Sequence, residues 1–196
     1  MKTTLKDWRK VHRKLKRLRG LDEHEKVLYA RSLAATPDER WQMNVTFLRS
    51  LGLWGQFLAE KIRFQLIGMS AAVIQGVPVA TFDVDLWLDL PARQYMRAVN
   101  LALAQGAKMA RNTVVELADG TLVNFIYEVT GLKDFATELR KARKLKFHGL
   151  TVPVMPLELI RKSKAAVMRP KDPAHIHYIE ETLRLLRAKN RAVKRQ

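Results

Sequence analysis

Asp83 and Asp85 stand one residue apart in a run of strong strand formers, Ala-Thr-Phe-Asp-Val-Asp-Leu-Trp-Leu-Asp-Leu, over positions 80–90. Side chains alternate along a strand, so the two carboxylates share one face with their α-carbons about 6.5 Å apart. Left unpaired, each raises the other's pKa, and burial raises both further. A divalent cation removes the conflict. Hard oxygen ligands suit magnesium, which takes one or two carboxylates, several waters and the phosphates of a substrate. The two residues alone favour a solvent-facing strand end or ion pairs with the abundant arginines. Asp89 has the same parity but comes just before Pro91, which marks it as a turn or cap residue.

The stretch upstream, Gln-Leu-Ile-Gly-Met-Ser-Ala-Ala-Val-Ile-Gln-Gly, places Gly68 between an apolar strand and a short helix ending at Gly76. Glycine there lets the backbone turn sharply and lets a phosphate approach helix N–H groups. Ser70 could add a hydroxyl donor to that phosphate or cap the helix. A strand–Gly–helix junction followed by a strand bearing Asp-x-Asp is more specific than either part alone.

Other elements must position these residues. Residues 4–20 read as a helix with Leu5, Trp8, Val11, Leu15 and Leu18 on a narrow stripe among lysines and arginines. It could dock on the domain, lie on nucleic acid or touch an anionic membrane surface. Residues 22–35 read as a second helix. A third begins at Thr36, with Pro37 and Glu39 completing a capping box, and Gly52 and Gly55 are expected to interrupt it. Trp41, Phe47, Trp54 and Phe57 read as core residues. Pro91 to Gly106 reads as a helix. Residues 112–129 read as a hairpin turning on Asp119-Gly120, with Val115 opposite Asn124. A second hairpin turns on His148-Gly149. Residues 156–168 read as a helix. A last helix takes Asp172 as N-cap and Pro173 at its first position, with its final residues fraying. His175 and His177 are two apart on it and face different directions, so they make no helical metal pair. The whole is an α+β architecture: a mixed sheet with antiparallel hairpins, flanked by helices, plus N-terminal basic helices. Residues 1–38 are expected to form a basic helical extension and 39–196 the main domain.

The 196-residue chain carries a net charge of +17 from 36 Lys and Arg against 19 Asp and Glu. A field of that sign attracts polyanions such as RNA, DNA, nucleotides or an acidic protein. The absence of cysteine excludes disulfides and thiolate metal sites and agrees with a cytoplasmic location. The N-terminus lacks the apolar stretch of a secretory signal, and no apolar run reaches the roughly 18 residues of a membrane span.

The stretch from Leu66 to Leu88 resembles the nucleotidyltransferase superfamily of the polymerase-beta type, in particular its small minimal-nucleotidyltransferase and toxin-like members. Gly68, Gly76, Thr81, Asp83 and Asp85 match that family's order and spacing. Lys164, Arg169, Lys171 and Asp172 match its later helices, so the resemblance covers roughly residues 60–190. It implies a magnesium-dependent transfer of a nucleoside monophosphate from a nucleoside triphosphate to a hydroxyl of RNA, such as tRNA, or of protein, with a toxin-like role and a protein partner within its range. It also implies metal binding by Asp83 and Asp85, phosphate contacts from Gly68 and Ser70, and a triphosphate clamp of Lys164, Arg169 and Lys171. Two positions depart from the pattern. Met69 replaces the second Gly or Ser of the junction. Asn124 stands where the family carries a third carboxylate, and an amide cannot act as a general base. The resemblance therefore implies either a transferase or a catalytically weakened nucleotide- or nucleic-acid-binding protein of the same fold. The residues alone also allow an interaction domain that works through its basic helix.

Overall fold

A computed structural model of the chain describes residues 8–16, 23, 26, 27, 30, 34, 51–79, 81, 83–118, 120–147 and 149–193. Its centre is a seven-stranded mixed sheet in the order β3-β4-β5-β2-β1-β7-β6. Helix α1 (Trp8–Leu15) precedes α2 (Leu51–Ala59), β1 (Phe64–Ile67), α3 (Gly68–Val73) and β2 (Asp83–Leu88). A short 3-10 turn leads into α4 (Tyr95–Ala104), β3 (Lys108–Arg111), β4 (Val114–Glu116) and β5 (Leu122–Ile126). Then follow α5 (Phe135–Leu139), β6 (Arg143–Phe147), β7 (Leu150–Val154), α6 (Leu157–Val167) and α7 (Asp172–Val193). Among the described residues no helix is long and apolar enough to cross a membrane.

Alternation along β2 divides the molecule. Val84, Leu86 and Leu88 point to one side with Phe64 and Leu66 of β1 and Val123 and Phe125 of β5, and all are buried. Against them α2 lays Phe57, whose ring centre lies 5.9 Å from Phe64 and 5.8 Å from Phe125. Trp54 packs on Phe64 as well, and α4 covers the same side with Ala98, Val99 and Ala102. Asp83, Asp85 and Trp87 point to the other side. There Trp87 meets Phe135 of α5 edge-on at 5.4 Å and donates its indole N–H to the Tyr127 carbonyl. Two-sided covering explains why β2 is apolar at most positions although two acids interrupt it.

Gly52 and Gly55 do not break their helix: α2 runs through both. Each glycine costs about 1 kcal/mol of helix propensity, less than the burial of Trp54 and Phe57 returns. The β4–β5 hairpin is one residue longer than a two-residue turn. Val114, not Val115, lies opposite Asn124, and Leu117 N–H donates to the Thr121 carbonyl. The slip moves Glu116 to the face that carries Asn124. Asp172 does not cap its own helix; its carboxylate reaches back to Lys164 and to the Arg169 N–H. The final helix runs through Val193, and residues 194–196 of the end expected to fray lie outside the described residues. Strand β3 and helix α5 went unread.

Positions 23, 26, 27, 30 and 34 of the second expected helix are helical. The third helix's capping box at Thr36, Pro37 and Glu39, with Trp41 and Phe47 and the proposed boundary at 38–39, lies outside the described residues.

Candidate functional site

The site forms where β1 ends. Gly68 takes φ +67°, a left-handed conformation that costs glycine little. Space sets a second requirement. Ile67 pairs with Asp85 across the antiparallel β1–β2 ladder, which lays the Asp85 carboxylate directly over Gly68. A Cβ on residue 68 would overlap Asp85 Oδ2. Glycine is therefore fixed by the acid as much as by the bend.

Next to Asp85 on the other flank is β5. The parallel register sets Asp85 against Asn124 and Asp83 against Leu122. Asn124 Nδ2 donates to Asp85 Oδ1 at 2.9 Å. Asp83 accepts from the Thr81 hydroxyl. Among the described residues neither acid takes part in an ion pair, whereas Arg63 pairs with Asp89 at the strand end. Asp89 also donates its backbone N–H to the Arg63 carbonyl at 2.9 Å, which continues the β1–β2 register by one pair instead of making a turn. Burial pushes the Asp85 carboxyl up to about 6; the charge of Asp83 adds to this, while the Asn124 hydrogen bond, Lys164 and Lys171 oppose it.

A pocket of about 310 Å³ opens beside this pair. Gly68, Asp85, Glu128, Lys164 of α6 and Arg169 are among the residues that line it. Lys164 lies on the buried side of α6 with Leu157 and Ile160 and pairs with Asp172 at 2.9 Å. Burial pushes the Asp172 carboxyl upward, but the Lys164 hydrogen bond and the Arg169 N–H outweigh it and hold the carboxyl below its ordinary value. His175 approaches Asp172 at 3.9 Å. Burial and then the charges of Lys164 and Lys171 lower its pKa to about 4, so it stays neutral. Lys171 acts on Asp85 through its charge and does not line the pocket. Ser70 is buried and donates its hydroxyl to the Ile67 carbonyl at 3.1 Å, so its proton is used within the turn itself.

No protein-family model and no curated protein matches the chain. Its structure is similar to that of an antigenic nucleotidyltransferase-like protein from Paracoccidioides brasiliensis, with a TM-score of 0.50 at 18% identity over 72% of this chain and 76% of the other. The chain has a nucleotidyltransferase fold. A candidate nucleotidyltransferase from Thermotoga maritima aligns with a TM-score of 0.45 at 20% identity, over 74% of this chain and 93% of that one. The antibiotic-resistance factor ANT(2'')-Ia aligns with a TM-score of 0.43 at 12% identity, over 80% and 97%.

Within this nucleotidyltransferase fold the donor set can be tested against a metal. Among the described residues no group of three or more His, Asp or Glu side chains comes together. Two carboxylates remain, on one face and outside any ion pair among the described residues, and the carboxyl of Asp85 is raised first by burial and then by the charge of Asp83. That is the unbalanced charge a divalent cation would satisfy, and hard oxygen donors fit magnesium. The site also holds residues that the sequence reading did not assign to it. Glu128, an exposed residue just past β5, lines the same pocket. His175 adjoins it through Asp172.

Proposed function

We propose that this chain transfers a nucleoside monophosphate from a nucleoside triphosphate to a hydroxyl of RNA, with tRNA the first acceptor to test. The observation that carries this reading is the seat of Asp85: over Gly68, beside Asp83, at the wall of a pocket that also gathers Lys164 and Arg169. Asp83 and Asp85 would hold magnesium, which when bound neutralises phosphate charge and polarises the phosphoryl oxygens. The bare backbone of Gly68 makes room for the Asp85 carboxylate, and so for a cation held between that carboxylate and phosphate oxygens. Lys164 and Arg169 bind the triphosphate and the leaving pyrophosphate. The acceptor oxygen bonds to the α-phosphorus as its bond to the bridging oxygen breaks. The acceptor proton passes to solvent, because Asn124 cannot take it. Positioning and charge supply most of the acceleration in phosphoryl chemistry, so the missing base slows the reaction without abolishing it. The net charge of +17 supports a polyanionic acceptor.

Asn124 favours a second reading, a nucleotide- or RNA-binding protein in which transfer has decayed. One experiment separates the two. ATP, CTP, GTP and UTP are titrated with and without magnesium, and labelled nucleotide is sought on tRNA and on the protein itself. Magnesium-dependent binding with transfer, both lost in Asp83→Asn and Asp85→Asn, supports the transferase. Binding without transfer leaves the second reading. Absence of magnesium-dependent binding removes both.

A further inference from the structure

Strand register assembles a second cavity, at the opposite end of β1 from Gly68. Leu66 pairs with Val154, and both are buried on the side that faces α2. Alternation therefore turns Arg63, one pair beyond β1, and Thr151 and Pro153 of β7 to the other side. Across the β6–β7 ladder Lys144 lies opposite Pro153 and Lys146 opposite Thr151, which adds two cations there. Lys144, Lys146 and Thr151 are exposed. A cavity of about 520 Å³ opens on this surface, with Leu58, Leu139 and Pro153 among its apolar walls. Its charged lining is Lys61, Arg63 and Lys144, and among the described residues no acid lines it.

One rim is fixed by the turn that ends α2. The Lys61 N–H donates to the Leu58 carbonyl at 3.1 Å and the Ile62 N–H to the Phe57 carbonyl at 2.8 Å. That pattern closes a helix on a left-handed residue, usually glycine. Here the residue is Lys61, at φ +55°. A side chain is disfavoured in that conformation, so the turn keeps an ammonium where glycine would suit the backbone better. Leu58 beside it is 48% exposed. Arg63 is partly engaged by Asp89, whereas Lys61 and Lys144 make no ion pair or hydrogen bond with another described residue.

These features narrow the occupant. Cations on three separate elements exceed what one carboxylate or phosphate needs, so the fitting ligand carries several negative charges. Nucleic acid would seek rings to stack on, but the walls are aliphatic and the ring of Phe64 is buried. A flat bilayer does not reach recessed apolar surface. A second copy of this chain would bring a net charge of +17 against the same cations. We propose that this groove docks an acidic segment of a partner protein, whose aliphatic side chains enter the cavity while its carboxylates face Lys61 and Lys144.

The test uses the full chain and two fluorescein-labelled peptides of equal charge, one of Glu-Glu-Leu-Leu repeats and one of Glu-Glu-Ser-Ser repeats. Anisotropy is read at about 0.15 M salt, where weak long-range attraction is screened. The leucine peptide is expected to bind at least about 10-fold tighter, the worth of burying one leucine side chain. Leu58→Glu, a change at a half-exposed position, is expected to bring that ratio toward one. Lys144→Glu is expected to weaken the leucine peptide at least about 10-fold, and Lys108→Glu, the same charge change on the other edge strand, less than about threefold. Equal affinity of the two peptides for the wild-type chain, or no binding of the leucine peptide, overturns the proposal, and this arm needs no variant to fold. Equal weakening by Lys144→Glu and Lys108→Glu overturns it too, by reducing the binding to net charge. Sodium dodecanoate, phosphatidylglycerol vesicles or a single-stranded RNA that loses affinity in Lys144→Glu while the leucine peptide does not would give the groove to that class instead.

Discussion

Asn124 gives its amide proton to Asp85 across the parallel β2–β5 ladder, at 2.9 Å. The contact holds an amide beside an acid whose pKa is already raised. Replacing Asn124 by Asp exchanges a favourable hydrogen bond for a third negative charge. Without magnesium, Asn124→Asp is expected to lose about 1–3 kcal/mol of stability. With magnesium the loss shrinks, and the rate of nucleotidyl transfer rises above wild type. Chemical denaturation with and without the metal, alongside a transfer assay, checks both; an unchanged rate would show that position 124 does not limit the chemistry.

Asp85 should leave a signature in stability against pH. Its folded pKa of about 6 lies above the ordinary 3.8, so between those values the folded state holds more protons than the unfolded one. Stability then falls as pH rises through that window and stays lower above it, by about 1–3 kcal/mol near neutrality. Asp85→Asn should flatten this part of the profile and stabilise the metal-free protein near neutral pH. Magnesium should offset the same penalty in the wild-type chain. Urea midpoints across the acid range read out all three.

Gly68 and Asp85 should be coupled. Gly68→Ala combines a left-handed backbone with an overlap against the Asp85 carboxylate. The expected cost is about 2–4 kcal/mol. In an Asp85→Ala background only the backbone part remains, so the cost should drop by at least about 1 kcal/mol. A double-mutant cycle measures this. Additive effects would mean that the two residues do not touch.

The Lys164–Asp172 pair is nearly closed to solvent, with side-chain exposures of 15% and 3%. Asp172→Ala leaves a buried ammonium without its partner and is expected to cost about 3–5 kcal/mol. Because the folded pKa of Asp172 is lowered, its contribution is present above the ordinary carboxylate range and is lost as pH falls through the folded value. Acid titration of the wild type and of Asp172→Asn should differ on that limb only. Nucleotide affinity in Asp172→Asn tells whether the pairing also aims Lys164 at phosphate.

Much of the site was readable because its signals are local. The parity of Asp83 and Asp85 follows from strand geometry, and Gly68 announces a bend within two residues of a strand. Asn124 was placed by resemblance, and the β2–β5 register sets it beside Asp85. What stayed hidden depends on distant parts. Strand β3 has four exposed residues and no apolar alternation, so nothing in Lys108–Arg111 marks it as a strand except its ladder with β4. The short helix α5 rests on Asp134, whose carboxylate accepts from Thr137 N–H, an Asx cap with too few residues after it to show a period. The β4–β5 register turned on a single residue of loop length, which Asp119-Gly120 does not specify. Asp172 has the sequence context of a cap, and only the packing of α7 against α6 reveals its true partners.

The outermost described strands of the sheet, β3 and β6, are rich in cations: Lys108 and Arg111 on one, Arg143, Lys144 and Lys146 on the other. Two molecules meeting rim to rim would bring like charges together along their open backbone groups. Lateral growth into ribbons is thereby discouraged, a safeguard that added salt would weaken.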